Sequence, residues 1–182
     1  REMAHQFKDS GAKAIVIVAN FASNLDKILD ETEIKTVIVT QLGDMLGGLK
    51  GSIVNFVVKN IKKMVPSYNL PTAVKWKDVI KKGKKHSFKK PEIEPSDLAF
   101  LQYTGGTTGV SKGAQLSHRN LVAHTMQTKE WFKPLFTEGL QEQMITALPL
   151  YHIFALAVNG ILMFSIGAKS ILITNPRDMP AF

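Results

Sequence analysis

A glycine- and threonine-rich stretch between Tyr103 and Gly113 carries the clearest chemical signal in this sequence. Its glycines let the backbone approach a ligand closely, its hydroxyl side chains can donate hydrogen bonds, and Lys112 adds a mobile positive charge. Backbone N–H groups, hydroxyls and one cation arranged in this way can surround a polyphosphate. The residues predicted to form this phosphate site are Tyr103, Thr104, Gly105, Gly106, Thr107, Thr108, Gly109, Val110, Ser111, Lys112, Gly113 and Ala114.

Two other phosphate-binding patterns do not fit the stretch. A Walker loop needs glycine directly before its lysine, whereas Ser111 precedes Lys112. A dinucleotide fingerprint is excluded because no Gly-x-Gly-x-x-Gly occurs there. A flexible surface loop is the alternative, and the ordered series of glycines ending in a lysine favours the phosphate site over it.

The stretch resembles the phosphate-binding signature of the adenylate-forming enzymes, the acyl-CoA synthetase and luciferase superfamily. It departs from that signature at one position, where Ser111 replaces the usual proline, and this removes local rigidity but no contacting group. Residues 54–59, 147–154 and 172–178 resemble the bacterial long-chain fatty-acid–CoA ligases in particular. The resemblance covers nearly the whole chain and implies an incomplete part of the large N-terminal AMP-binding domain.

The resemblance implies a two-step reaction with ATP, a fatty acid and CoA. The carboxylate attacks the α-phosphate of ATP to give acyl-AMP and pyrophosphate, and the CoA thiol then takes the acyl group. Mg²⁺ is expected to bridge the phosphates, with Thr108 as its assigned contact, although the sequence does not separate Thr108 from Thr107. Preorganised donors and the charge of Lys112 would stabilise the charge that builds on pyrophosphate.

His152 is the second predicted catalytic residue. In the resembled family an aromatic residue or a histidine at this position lies beside the acyl carboxylate. We expect an orienting hydrogen-bond donor rather than a general base, against the alternative of a purely structural histidine. The small and apolar residues that follow in 154–162 leave two interpretations open, namely a groove for an alkyl chain and close packing of a helix on a sheet.

Composition bounds the remaining possibilities. The 182 residues suffice for one sizeable core, and the absence of cysteine excludes disulfides and thiolate metal sites. We expect a piece of a longer protein, inactive alone, in the cytoplasm or peripherally on the inner face of the membrane. The apolar region 153–168 is too short for a transmembrane helix. A net charge of +8 favours acidic partners in general.

The alternation of apolar elements predicts an α/β fold with a mostly parallel sheet and flanking helices. Residues 12–20, 24–33 and 35–40 form a strand–helix–strand unit, whose first strand we expect to be buried on both faces. Further strands are expected at 98–103, 143–149 and 170–174, and further helices at 153–166 and from Ser117, the predicted N-cap. The loops after Tyr103 and Leu150 would meet at one sheet edge if their strands are parallel neighbours. We divide the chain into parts 1–51, 52–96 and 97–182.

Residues 52–65 predict an amphipathic helix with an apolar arc and a lysine-bearing polar face. We prefer packing of the arc on the core and keep a membrane-surface helix as the alternative. The lysine-rich residues 75–90 predict a solvated surface segment, with peripheral membrane contact through 52–90 as the alternative. No nucleic-acid partner is expected, because aromatic residues are sparse in that segment and arginine is absent from it. A homodimer is a further expectation.

Two other functions compete with fatty-acid activation. One is adenylation of a different carboxylic acid, such as an aromatic or amino acid. The other is a nucleotide-binding or membrane-binding module without catalysis, which residues 52–90 would carry.

Overall fold

The β-branched runs predicted as strands do form a parallel sheet in the structure, a computed structural model that describes residues 2–104 and 110–173. Strands β1 (Ala14–Val18) and β2 (Thr36–Thr40) pair in parallel, and β2 also pairs in parallel with the short β3 (Val74–Lys75). The order β1-β2-β3 follows the sequence. The chain divides into two units, one of residues 2–91 with Val110 and Ser111, the other of residues 92–104 and 112–173.

The helices of the first unit connect and flank this sheet. They are α1 (Glu2–Ser10), α2 (Ala22–Asp26), α3 (Gly48–Phe56) and α4 (Trp76–Gly83), with 3₁₀ turns at Ala19–Phe21 and Leu29–Glu31 and a π-helical turn at Val57–Ile61. The helix predicted over 24–33 is therefore too long. Ile28 leaves the helical region at φ −127°, ψ −5°, and the 3₁₀ turn follows it. Its side chain and that of Leu29 still pack on the core, as the predicted apolar face requires.

One face of the sheet holds the core of the first unit. Ile17, Val37 and Val39 are buried against Leu25 and Leu70. The prediction that β1 is buried on both faces is wrong, because Val16 is 55% exposed while the next residue is buried. Successive side chains of a strand point to opposite faces, and the packed helices cover one of them among the described residues.

Helix α1 was not predicted from the sequence. An exposed ion pair ties it to the 3₁₀ turn, with Lys8 Nζ 2.9 Å from Glu31 Oε2. The hydrogen bond and charge of Lys8 lower the pKa of the Glu31 carboxyl. Since both side chains are more than half exposed, solvent screens the pair and it adds little to stability.

Helix α3 begins at Gly48, four residues before the predicted start, and its helical path ends at Ile61. A close contact holds this start, because a Cβ on Gly51 would lie 2.3 Å from the carbonyl oxygen of Gly43. The preferred prediction that the apolar arc packs on the core is wrong for Ile53 and Ile61, which are exposed. Val65 does pack on the core.

The lysine-rich segment contains a helix, α4, which was not predicted. Every lysine between 75 and 90 is exposed, so the prediction of a solvated surface segment is confirmed. Lys77 lies 3.5 Å from the largely buried carboxylate of Asp44.

The second unit contains a hairpin and a parallel pair. Strands β4 (Leu98–Thr104) and β5 (Lys112–Ser117) are antiparallel, and β6 (Gln143–Thr146) and β7 (Lys169–Leu172) are parallel. Helix α5 (His118–Phe132) and a 3₁₀ turn (Lys133–Leu135) precede β6; a π-helical segment (Ala155–Leu162) and α6 (Met163–Ser165) precede β7. The strands predicted at 98–103, 143–149 and 170–174 are present within shifted bounds, with β6 and β7 ending earlier than predicted, and β3 and β5 were not predicted. The last predicted residue, Thr174, lies outside the described residues.

Small residues in the helical segment before β7 serve close packing. Ala155, Ala157 and Val158 are buried, and Leu162 and Met163 extend the same apolar cluster, which Phe132 and Met144 also contact. This favours the packing interpretation of these residues over an alkyl groove. The helix ends at Gly167, as predicted, in a backbone conformation with φ +69°.

No helix within the described residues is long and apolar enough to cross a bilayer. Within residues 153–168 the helical segment ends at Ser165, and Val158, Leu162 and Met163 lie in the apolar cluster of the second unit.

Ser117 caps α5 through a reciprocal pair of hydrogen bonds. Its hydroxyl accepts from the backbone N–H of Asn120 at 3.3 Å, and the side-chain Oδ1 of Asn120 accepts from the backbone N–H of Ser117 at 3.0 Å. The predicted N-cap is confirmed. Two N–H groups that the first helical turn would leave without partners are thereby satisfied.

We predict that Ser117→Ala lowers the free energy of unfolding by about 1 kcal/mol, because the first turn of α5 loses its side-chain acceptor. Urea denaturation followed by circular dichroism measures the change. Ser117→Asp retains an acceptor at the same position and should stay within a few tenths of a kcal/mol of the parent. Equal losses in the two variants would contradict a capping role.

Candidate functional site

The β4–β5 hairpin places the ends of the predicted phosphate loop opposite each other. Thr104 pairs with Lys112, and Gln102 pairs with Ala114 two residues further from the loop. Directly opposed residues of an antiparallel pair share a face, and alternate residues of one strand do so too. The side chains of Gln102, Thr104 and Lys112 therefore project from one face of the hairpin, which we call the lysine face.

This arrangement corrects one expectation. The loop joins two antiparallel strands of a hairpin, so the carboxyl end of β4 does not meet a parallel neighbour in the described pairing. The predicted helix from Ser117 follows β5 instead of following the loop directly. The residues predicted to contact phosphate therefore include both strand ends of the hairpin, and the loop does not form a strand–helix junction.

Tyr103 and Gly113 are paired on the opposite face of the hairpin. A Cβ built on Gly113 would lie 3.0 Å from Cζ and 3.2 Å from Cε2 of Tyr103. The aromatic ring thus packs closely on the glycine backbone, and a side chain there would require the ring to shift by a few tenths of an ångström. The sequence assigned Gly113 to phosphate binding, whereas the structure supplies a packing reason for the same residue type.

A long-range hydrogen bond brings the second predicted motif to the lysine face. The side-chain Nε2 of Gln102 lies 3.0 Å from the carbonyl oxygen of Tyr151. Because a carbonyl oxygen only accepts, the amide nitrogen is the donor. The residue next to Tyr151 is His152, so the two motifs meet in one unit. Sequence analysis missed Gln102; its signal is a single amide at the end of an apolar strand, directly before the phosphate motif.

The ring of His152 is held in one tautomer by its own turn. The backbone N–H of Phe154 lies 3.3 Å from Nδ1, which must accept. Nδ1 is then unprotonated, and the proton of the neutral ring is on Nε2. His152 is exposed, so its Nε2–H is accessible to an anionic ligand.

The remaining described residues of the phosphate motif have different surroundings. Lys112 is exposed, and no carboxylate pairs with it in the described part of the chain. Val110 and Ala114 are exposed as well. Ser111 is 8% exposed and its Oγ has no described hydrogen-bond partner. Its carbonyl oxygen lies 2.9 Å from Nε2 of His5, a histidine to which sequence analysis assigned no role.

Part of the predicted site lies outside the described residues, namely Gly105, Gly106, Thr107, Thr108 and Gly109. Their phosphate contacts and the metal contact of Thr108 stay predictions. Within residues 2–104 and 110–173, no group of three or more histidine or acidic side chains could hold a metal ion. What the described residues offer is a cation, a threonine hydroxyl and an imidazole donor for binding an anionic ligand.

Comparison with known proteins places these features in a family. The chain matches the AMP-binding enzyme family over residues 1–182. It is 53% identical over 180 residues to a long-chain-fatty-acid–CoA ligase of Escherichia coli O6:H1, covering 99% of this chain and 32% of that protein. It is 51% identical over 183 residues to the ligase of the same name from Haemophilus influenzae, covering all of this chain and 33% of that protein. The chain thus spans about a third of the length of these relatives.

A solved structure supports the fold. The crystal structure of a long-chain-fatty-acid-CoA ligase from Archaeoglobus fulgidus superposes with a TM-score of 0.59 at 21% identity, covering 98% of this chain and 29% of that one. The predicted α/β class with a mostly parallel sheet and flanking helices is confirmed.

We predict that Gly113→Ala lowers the free energy of unfolding by about 1–3 kcal/mol, because the added methyl group would force the Tyr103 ring to move. Denaturant unfolding measures the loss. Gly83→Ala is the matched control, since its Cβ would meet no atom within 4 Å, and its effect should stay within about 0.5 kcal/mol.

A double-mutant cycle tests the cause. In a Tyr103→Ala background, Gly113→Ala should cost almost nothing, because the ring that it displaces is gone. A penalty of unchanged size in that background would assign the effect to the backbone of β5 rather than to the aromatic contact.

Proposed function

The chain belongs to the family of AMP-binding enzymes, and from this premise we propose that it forms part of a long-chain fatty-acid–CoA ligase. The enzyme activates a fatty acid with ATP, giving acyl-AMP and pyrophosphate, and then transfers the acyl group to CoA. Identity of 53% to a ligase of that name over nearly the whole chain supports this substrate class. The structural observation that carries the proposal is the shared face of Thr104 and Lys112, next to the turn of His152.

The lysine face serves the first step. Attack of the fatty-acid carboxylate on the α-phosphorus breaks the bond to pyrophosphate, so negative charge grows on the leaving group. The hydroxyl of Thr104 and the ammonium of Lys112 stand at the two ends of the loop and stabilise that charge. Backbone N–H groups of Gly105, Gly106 and Gly109, with the hydroxyls of Thr107 and Thr108, complete the cradle in this proposal.

Mg²⁺ fits the chemistry of this site through oxygen ligands alone. Within the described residues no acidic cluster is available for it, and in this proposal Thr108 would supply the protein hydroxyl that holds the ion beside the phosphates. When bound, the ion neutralises phosphate charge.

His152 serves the carboxylate end of the same reaction. Its Nδ1 accepts from the backbone, which leaves Nε2–H to donate to an oxygen of the fatty-acid carboxylate or of the acyl-AMP carbonyl. This bond orients the reacting oxygen and needs no proton transfer. The CoA thiol then attacks the acyl carbon, and AMP leaves.

The chain supplies part of the enzyme in this proposal. Since it spans about a third of its relatives, contacts to adenine, ribose and CoA come from residues outside it, and the chain alone is inactive. We propose that all three parts, 1–51, 52–96 and 97–182, belong to the N-terminal AMP-binding domain.

Peripheral contact with the inner face of a membrane is the second proposal. Phe56 and Ile61 are 59% and 65% exposed, next to the exposed Lys59, Lys62 and Lys63. Apolar side chains beside lysines suit an anionic bilayer surface, from which a cytoplasmic ligase could take its substrate. A homodimer stays a prediction.

We predict that Lys112→Ala lowers carboxylate-dependent ATP–pyrophosphate exchange by about 10²-fold in the complete enzyme, because the leaving group loses a positive charge. Exchange should be driven better by palmitate than by acetate or an aromatic acid. Lys133→Ala, at an exposed lysine paired with Glu130, is the control and should exchange at the parental rate.

The possible results separate the proposals. Exchange driven best by another acid would keep the phosphate site and overturn the fatty-acid assignment. No exchange with any acid would favour a nucleotide-binding module without catalysis. Normal exchange in Lys112→Ala would remove that lysine from the mechanism.

For the membrane, we predict that replacing Lys59, Lys62 and Lys63 together by glutamine weakens binding to phosphatidylglycerol vesicles by about 10²-fold, at roughly 1 kcal/mol for each lysine. Co-sedimentation at low and high salt measures it. The matched control replaces Lys129, Lys133 and Lys169, three exposed lysines of the second unit. Equal binding of the parent to phosphatidylcholine vesicles would contradict an electrostatic surface.

A further inference from the structure

We propose that Gln102 is a positioning residue, whose side-chain amide holds the His152 turn at a set place beside the lysine face. The inference rests on the proposed function, because it assigns the distance between the phosphate end and the carboxylate end of that reaction to one hydrogen bond. Gln102 itself contacts neither substrate in this proposal. It acts through the carbonyl oxygen of Tyr151.

The surroundings of Gln102 explain why a glutamine stands there. Gln102 is partly exposed, follows an apolar run in β4, and makes a hydrogen bond that is open to solvent. Its cross-strand neighbour Ala114 has no polar group to offer. The amide donates instead across 49 residues of sequence to Tyr151, at 3.0 Å. This hydrogen bond links the hairpin to the His152 turn.

Hydrogen bonds within the turn fix His152 relative to Tyr151. The backbone N–H of His152 donates to the Pro149 carbonyl at 2.9 Å, and the His152 carbonyl accepts from Leu156 at 2.9 Å. The imidazole is fixed in addition by its 3.3 Å contact with the Phe154 N–H. A shift of the Tyr151 carbonyl therefore moves the ring with it.

The helix after the turn is anchored at a separate place. Nδ2 of Asn159, a buried residue, donates to Thr146 Oγ1 at 2.9 Å and to the Ile145 carbonyl at 3.2 Å. That contact fixes the helix to β6, while Gln102 fixes its N-terminal turn to β4. Loss of Gln102 leaves the helix folded and frees only the turn. The expected defect is thus one of geometry, and misplacement of a reacting group by about 1 Å can cost about 10²-fold in rate.

The first test uses the complete enzyme with Gln102→Met, which keeps the side-chain length and removes the donor. We expect kcat for palmitate-dependent ATP–pyrophosphate exchange to fall by about 10- to 100-fold while KM for ATP stays unchanged. Gln115→Met is the matched control, because Gln115 is an exposed glutamine in the partner strand β5. It should leave both constants at their parental values.

A double mutant separates positioning from general damage. If Gln102 acts through His152, then Gln102→Met should have no further effect in a His152→Ala background. Multiplicative losses would overturn the inference, since they would mean that Gln102 works by another route. An unchanged kcat in Gln102→Met would overturn it as well.

Gln102→Glu supplies a readout that a merely structural role would not move, and it serves if the methionine variant does not fold. A glutamate carboxylate cannot donate to the Tyr151 carbonyl, but the protonated acid can. The activity of Gln102→Glu relative to the parent should therefore rise as pH falls. A ratio independent of pH would count against the proposal. If the parent enzyme shows no exchange with any acid, the proposed function fails. If the parent is active and the Gln102 variants exchange at the parental rate, only the positioning role of Gln102 fails.

Discussion

The register of the β4–β5 hairpin is the constraint on which the candidate site depends. Thr104 opposes Lys112 in this register, so both side chains project from one face together with Gln102. A slip of one residue in either strand would send its whole set of side chains to the other face. The Tyr103 ring lies over Gly113, where a side chain would crowd the ring. This contact favours the observed register.

In the second unit, one helical segment is held by apolar packing along its middle and by hydrogen bonds at its N-terminal turn. Its middle is buried, with Val158 and Leu162 in an apolar cluster and Asn159 bonded to β6. Its N-terminal turn, with Tyr151 and His152, is exposed and bonded to β4. A turn beside the proposed ligand site has to be accessible, and hydrogen bonds rather than burial hold this one in place.

The first unit leaves several apolar side chains exposed. Its parallel sheet is covered on one face within the described residues, and Val16 on the other face is exposed. Helix α3 likewise leaves Ile53 and Phe56 exposed beside lysines. Exposed apolar area beside positive charge is what the proposed membrane contact uses.

The sequence by itself determined the phosphate motif, the positions of β1, β2, β4, β6 and β7, and the cap at Ser117, because glycine spacing, β-branched runs and capping residues act over a few neighbouring residues. It also indicated the family, since that signal is the order of residues along the chain. Only the tertiary structure decided the hairpin register, the exposure of Val16 and the bond from Gln102 to Tyr151. Those features depend on which residues meet across 49 positions or across two strands, and on which face another element covers. Local pattern carries no information about such pairings, so the partner of Gln102 could not be predicted from the strand that contains it.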